Sequence, residues 1–220
     1  VFRIEDRAMP LQNRVTPFGE IVATAARGTL MGNRGRALHG PDRALGSRRW
    51  ISKRWISCRL SFGDRRREVM SPGSYTELFF LDEATALAAG HRPCFECRRA
   101  EATAFARAWS SAGRCSAPPR ASAMDTVLHA ERIDPATGEK RLHAVELDRL
   151  PAGVIVLAGP RHEPHLVLDD CLRPWTVSGY GTPVRRPRRA VVRALTPPGI
   201  ISAMNFGYAP MLHETALDRR

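Results

Sequence analysis

Along the first third of the chain, apolar and polar side chains alternate in short stretches; in the middle they fall at helical spacing. Trp50-Ile51 and the run Trp55 to Phe62 carry the period-two pattern of half-buried strands. Gly63-Asp64 is a turn signal, so Glu68 to Met70 is expected to return as the second strand of a hairpin. Ser71-Pro72-Gly73 breaks the pattern, and Tyr75 to Leu81 predicts a further strand. Upstream, Thr29 to Ser47 is dense in glycine and arginine without a sustained period. It reads as a loop, one that a ligand or metal would order.

Asp82 is placed as the N-cap of a short helix, EATALAA, ended by Gly90. A second helix is expected from Cys94 to Ser111, with Phe95, Ala102, Phe105 and Trp109 on one core-facing stripe. Ser122 with Asp125 three residues on has the form of a capping box, opening a third helix through Arg132. After Asp134-Pro135-Ala136-Thr137-Gly138 the pattern becomes short β-like runs, at 153–157, 165–168, 172–177 and 190–195, before a final helix over Gly199 to Phe206. The expected fold class is α+β. An α+β domain covers 1–133 and a small, mainly antiparallel β domain covers 134–220.

Composition narrows the partners. Of 34 basic residues only Lys53 and Lys140 are lysines, and the formal charge is +12. The excess is local: residues 1–67 hold 15 basic and 5 acidic side chains, whereas residues 68–180 hold 12 and 15. A clustered field of arginines suits a polyanion, because guanidinium binds phosphate bidentately; a GC-rich coding sequence would equally favour arginine over lysine. Trp50 and Trp55 lie among Arg48, Arg49, Lys53, Arg54 and Arg59, and Arg65-Arg66-Arg67 follow. Those eight cations are the candidate nucleic-acid contacts, with at most one of the two tryptophans facing out, where it could stack on a base, and the other in the core. No apolar run is long enough to span a bilayer, and VFRIEDRAMP has acids where a secretory leader is basic. A soluble, cytoplasmic protein with no membrane partner is expected. P-loop, dinucleotide-binding and nucleophile-elbow motifs are absent, which removes the usual support for nucleotide-hydrolase, dehydrogenase and serine-hydrolase readings.

Five cysteines without a secretory leader argue against a disulfide framework. Cys94-Phe95-Glu96-Cys97 at a helix start directs two sulfurs to one place, as in zinc ligation or thiol–disulfide exchange. Redox C-x-x-C pairs follow a strand in a βαβ unit. This one follows a helix, a glycine and a proline, with a hairpin bearing Cys58 upstream, the element order of a treble-clef zinc site.

The stretch Cys58-Arg59-Leu60-Ser61-Phe62, then Glu68-Val69, then FFLDEATALAAGHRPCFECRR, resembles the metal-binding domain of the Ada DNA alkylation-repair family, over roughly residues 50 to 105. That family carries C-R-P-S-C and, after an A-x-A-A-G helix, F-R-P-C-x-x-C-R. The resemblance implies a zinc-binding treble-clef-like fold, DNA as partner, and Cys58, Cys94 and Cys97 as ligands to Zn²⁺. The family's fourth cysteine is Phe62 here. His39, on the flexible upstream loop, is the expected fourth ligand. A neutral ligand in place of a thiolate leaves the centre less negative and its sulfurs poorer nucleophiles, which argues against Cys58 as a methyl acceptor and for a structural zinc.

The third helix aligns Asp125, His129 and Arg132 at i, i+4 and i+7, and an Asp125/His129 pair is the candidate general acid/base unit. A zinc-stabilised nucleic-acid-binding protein, with DNA preferred to RNA and a link to repair or regulation, is therefore the leading expectation. The alternatives are a metal-dependent nuclease or repair enzyme, and a structural zinc protein that binds a protein partner through its C-terminal domain.

Overall fold

The computed structural model describes residues 9–63, 68–114 and 117–218. The protein is α+β, with two mostly antiparallel sheets and helices packed between and beside them. The first sheet is built from β1 (Gln12–Val15), β2 (Ile21–Ala23), β3 (Leu30–Asn33), β4 (Ile56–Cys58), β5 (Leu78–Phe80) and, after helix α1 (Glu83–Ala88), β6 (Arg92–Pro93). Its order is β2-β1-β5-β3-β4-β6, with β1–β5 and β4–β6 the parallel pairs.

Three expectations about this region are corrected. The segment expected as a loop contains β3, which pairs with both β4 and β5. Its signal was hidden by Gly32, where a Cβ would stand 2.2 Å from the Ile56 carbonyl and 2.8 Å from the Phe80 ring. Only glycine lets the three strands approach so closely. Conversely, β4 finds its antiparallel partner in β3 rather than in Glu68 to Met70, of which Val69 and Met70 form a turn. Trp50-Ile51 is not a strand: Trp50 is irregular and residues 51–53 form a bend.

Asp82 caps α1 as expected, accepting from the Thr85 backbone N–H at 2.9 Å. The residues after α1 return along β4: Arg92 N–H reaches Trp55 O at 3.1 Å and Cys94 N–H reaches Ser57 O at 3.0 Å. Pro93, between them, has no N–H to offer, which suits the sheet edge that β6 occupies. Helix α2 (Arg99–Trp109) begins one turn later than expected, so the C-x-x-C lies in the turn that leads into it. Helix α3 (Ala121–Arg132) starts at Arg120 without a side-chain cap. The Ser122/Asp125 capping box does not form, because Asp125 is taken by Arg92.

The second sheet is wholly antiparallel: β7 (His143–Glu146), β8 (Ile155–Ala158), β9 (Glu163–Val167), β10 (Cys171–Thr176), β11 (Gly179–Tyr180), β12 (Val184–Arg185) and β13 (Val191–Ala194). The order is β11-β10-β9-β8-β13-β7, with β12 on β10. Helix α4 (Pro198–Asn205) and a short α5 (Glu214–Leu217) complete the chain. The largest apolar cluster joins Phe105, Trp109, Met124 and Leu128 of α2 and α3 to Val156, Val167, Leu172, Ile200 and Met204, and so draws on both sides of residue 133. Polar stitching does the same. Asp82 accepts from Tyr180 Oη and His213 N–H, and Glu83 from Tyr208 Oη, Met211 N–H and Arg98.

Candidate metal centre

Cys58 ends β4, and Cys94 and Cys97 flank the turn between β6 and α2. The parallel β4–β6 register brings these two elements side by side. The three sulfurs lie within 4.8 Å of one another and all three residues are buried. Arg98, next in the chain and itself buried, pins the turn from behind. Its guanidinium donates to Ser57 Oγ at 3.0 Å and pairs with Glu83 at 2.8 Å. The local sequence therefore does two jobs: proline and glycine set the approach, and arginine locks it.

The sulfurs are electrostatically unequal. The Cys58 thiol donates to Cys94, and with the Cys97 and Glu96 N–H groups it pulls the Cys94 thiol down to about 5, against the opposing effect of burial. Cys94 is thus a thiolate at neutral pH. Cys58 is pushed up by the same hydrogen bond and by burial, and Cys97 is raised mainly by burial. A cluster of three thiols sharing one negative charge is poised to exchange its remaining protons for a metal ion. Tetrahedral zinc, with Zn–S bonds of about 2.3 Å, spaces its sulfurs about 3.8 Å apart, and soft thiolates suit such an ion. The donor set fits.

The expected fourth ligand does not join it. His39 is buried, with Nδ1 2.6 Å from Thr76 Oγ1 and Nε2 3.3 Å from the Ser71 carbonyl, and it is not part of the cysteine group. Among the described residues no other His, Cys, Asp or Glu completes the set. Cys115 lies outside them, Cys171 sits on β10, and Phe62 is partly exposed.

The Asp125/His129 pair is not assembled as an acid/base unit either. Asp125 is buried in a bidentate ion pair with Arg92, at 2.9 and 2.8 Å. His129 instead lies 3.2 Å from an Arg132 Nη and edge-on to Trp50. Helical spacing put both on one face correctly; it could not show that Arg92 would claim the carboxylate.

Arg48, Arg49, Lys53, Arg54 and Arg59 are exposed, the last 3.6 Å from Glu101. Arg65, Arg66 and Arg67 lie outside the described residues. Of the two tryptophans Trp55 is the core one, 2% exposed, and Trp50 is half-buried against it with ring centroids 6.0 Å apart. The guanidinium carbons of Arg34 and Arg132 lie 3.9 and 4.0 Å from the Trp55 ring centroid. Sequence reading missed this buried cationic cluster. Its one legible signal was Lys140, one of only two lysines in an arginine-rich chain. No helix among the described residues is long and apolar enough to cross a membrane.

Compared with known proteins, the chain matches no family model, no curated protein and no solved structure.

Proposed function

We propose that the protein is a zinc-stabilised nucleic-acid-binding protein, with DNA its preferred partner, in which Cys58, Cys94 and Cys97 hold Zn²⁺ in a treble-clef-like arrangement. The observation that carries this reading is the convergence of three buried sulfurs at the end of a strand whose flanks, Lys53, Arg54 and Arg59, are exposed cations. Bound zinc would supply cross-linking between β4 and the turn before α2, fixing the orientation of that basic surface. The surface would then contact phosphate, with Arg48 and Arg49 extending it. A binding role is favoured over a nuclease because Asp125 and His39 are both committed to buried structural partners.

The metal half is tested by elemental analysis of the purified protein. About one equivalent of zinc is expected, lost in Cys94→Ser and Cys97→Ser; metal-free yet equally stable wild-type protein overturns it. The binding half is tested by anisotropy with a labelled duplex across a salt series. Affinity should fall with a log–log slope near −0.9 per phosphate contact, about one contact fewer for each of Lys53→Gln, Arg54→Gln and Arg59→Gln. A flat salt dependence overturns it.

A further inference from the structure

A cavity of about 750 Å³ opens beside the first sheet, remote in function from the cysteines. It is lined by Arg34, Arg132 and Lys140, by Trp50 and Trp55, and by Gln12 among others. Its volume is in the range of sites that enclose a whole small molecule rather than a bare ion.

Of the four cations in the lining Arg49 is exposed, and the other three meet only neutral acceptors. Arg34 donates to the Gly19 carbonyl at 2.8 Å, the Arg49 carbonyl at 3.3 Å and His91 Nε2 at 3.2 Å. Arg132 donates to the Gly90 carbonyl at 2.8 Å and the Lys53 carbonyl at 2.6 Å, and also contacts His129 Nδ1. Lys140 donates to the Ala88 carbonyl. Arg34 and Arg132 are at most 1% exposed, and Arg132 Nε is buried with no acceptor at all. Each guanidinium carries five N–H donors, so both keep donors in hand. Two carboxylates, Glu20 and Glu139, belong to the lining, but both are exposed and neither is ion-paired to these cations. Asp125, the carboxylate that acts on Arg132, is held by Arg92.

Magnitudes decide what this means. An uncompensated buried charge costs several kcal/mol, whereas stacking a guanidinium on a tryptophan returns roughly 0.5–2 kcal/mol. Trp55 alone does not balance two buried guanidiniums and an ammonium. Burial pulls Arg34, Arg132 and Lys140 below their usual ranges; repulsion from Arg132 adds to this at Arg34 and Lys140, while Arg132 itself is raised by Asp125 and lowered by Arg92. A dianion with three oxygens would supply the missing counter-charge and the missing acceptors together. The space beyond it is apolar and aromatic, with the half-buried Trp50 ring available as a stacking surface.

We propose that this cavity binds a nucleoside monophosphate, its phosphate held by Arg34, Arg132 and Lys140 and its base stacked on Trp50, as a free mononucleotide or as the 5′-phosphorylated end of a strand. The site stands independently of the metal centre and adjoins the exposed basic surface through Arg49, which also lines the cavity.

The test is a titration of the full-length chain, followed by tryptophan fluorescence and calorimetry. The probes are adenosine 5′-monophosphate, adenosine, inorganic phosphate, and a short single strand with and without its 5′-phosphate. Adenosine monophosphate should bind saturably, at least about tenfold more tightly than adenosine or inorganic phosphate, since both halves of the ligand contribute. Lys140→Gln and Trp50→Leu, chosen because neither residue is fully buried, should each weaken it by about tenfold in protein whose circular dichroism and melting confirm folding. Arg161→Gln, exposed in the turn between β8 and β9, should leave it unchanged. A phosphorylated strand that outcompetes the mononucleotide, when its unphosphorylated form does not, assigns the strand end; equal or weaker binding assigns the free nucleotide. Three results overturn the proposal: no saturable binding at millimolar mononucleotide, affinity no better than inorganic phosphate, or affinity unchanged in both variants.

Discussion

Replacing Asp125 separates a structural carboxylate from a catalytic one. Both of its oxygens accept from Arg92, at 2.9 and 2.8 Å, with the two side chains 7% and 3% exposed. Asp125→Ala strands a buried guanidinium, and breaking a buried pair in this way costs about 3–5 kcal/mol. For a chain of this length each kcal/mol moves the melting temperature by about 2–4 °C, so a fall of about 6–20 °C is expected. Urea unfolding followed by tryptophan fluorescence would measure the free energy directly, and the double variant Asp125→Leu/Arg92→Met supplies the control. If the cost is the orphaned charge, removing both charges should recover most of it, because a well-packed apolar pair is often no worse than a buried ion pair. A loss below about 1 kcal/mol in Asp125→Ala, or a double variant as unstable as the two single losses added, would refute the reasoning.

Acid should destabilise the fold through His91. Burial, with Arg34 and Arg132 beside it, holds its imidazole well below the usual range. The unfolded chain binds the proton below about pH 6.5 while the folded chain does not, so stability drops as pH falls from there, by up to about 1.4 kcal/mol per unit. His91→Gln should flatten that part of the unfolding profile. Lys140, also depressed by burial, works at the other end: stability should rise towards about pH 10 in wild type and less so in Lys140→Met. At Gly90, φ is +87° and a Cβ would stand 2.5 Å from Arg132 Cδ, so Gly90→Ala should lose about 2–5 kcal/mol in chemical denaturation, strain and overpacking together. Tyr208→Phe removes one donor from buried Glu83 and should cost about 1–3 kcal/mol by the same measurement.

What sequence made legible, and what it did not, divides along local and non-local lines. Asp82 as an N-cap, α1, the core stripe of α2 and the runs that became β8, β9, β10 and β13 all follow from neighbouring residues. The meeting of Cys58 with Cys94 and Cys97 was also reachable, through motif order. Three things were not. The strand β3 hid behind a glycine that its neighbours require. Asp125 looked free on its helix because Arg92, its partner, is 33 residues away. His39 looked free to reach a metal because nothing local says that Thr76 and Ser71 would occupy both its nitrogens. The A-A-G-H-R-P stretch held more than the resemblance it carried. Ala89 lines the cationic cavity, Gly90 makes room for Arg132, His91 accepts from Arg34 and Arg92 binds Asp125. One short segment thus serves the cavity on one hand and leads into the cysteines on the other.

The two carboxylates at the start of α1 have a consequence for the order of folding. Besides Thr85 and Arg98 nearby, their donors include Tyr180, Tyr208, Met211 and His213, at separations of 98 to 131 residues. Helix α1 therefore waits for residues 98 to 131 positions further along before its buried acids are fully satisfied. Contacts this distant must close long loops first, which slows folding and leaves the acids of α1 short of donors on an emerging chain. A nascent chain halted at Asn205 would carry Glu83 without Tyr208 and Asp82 without His213, an N-terminal half with its six strands in place but two buried acids short of donors.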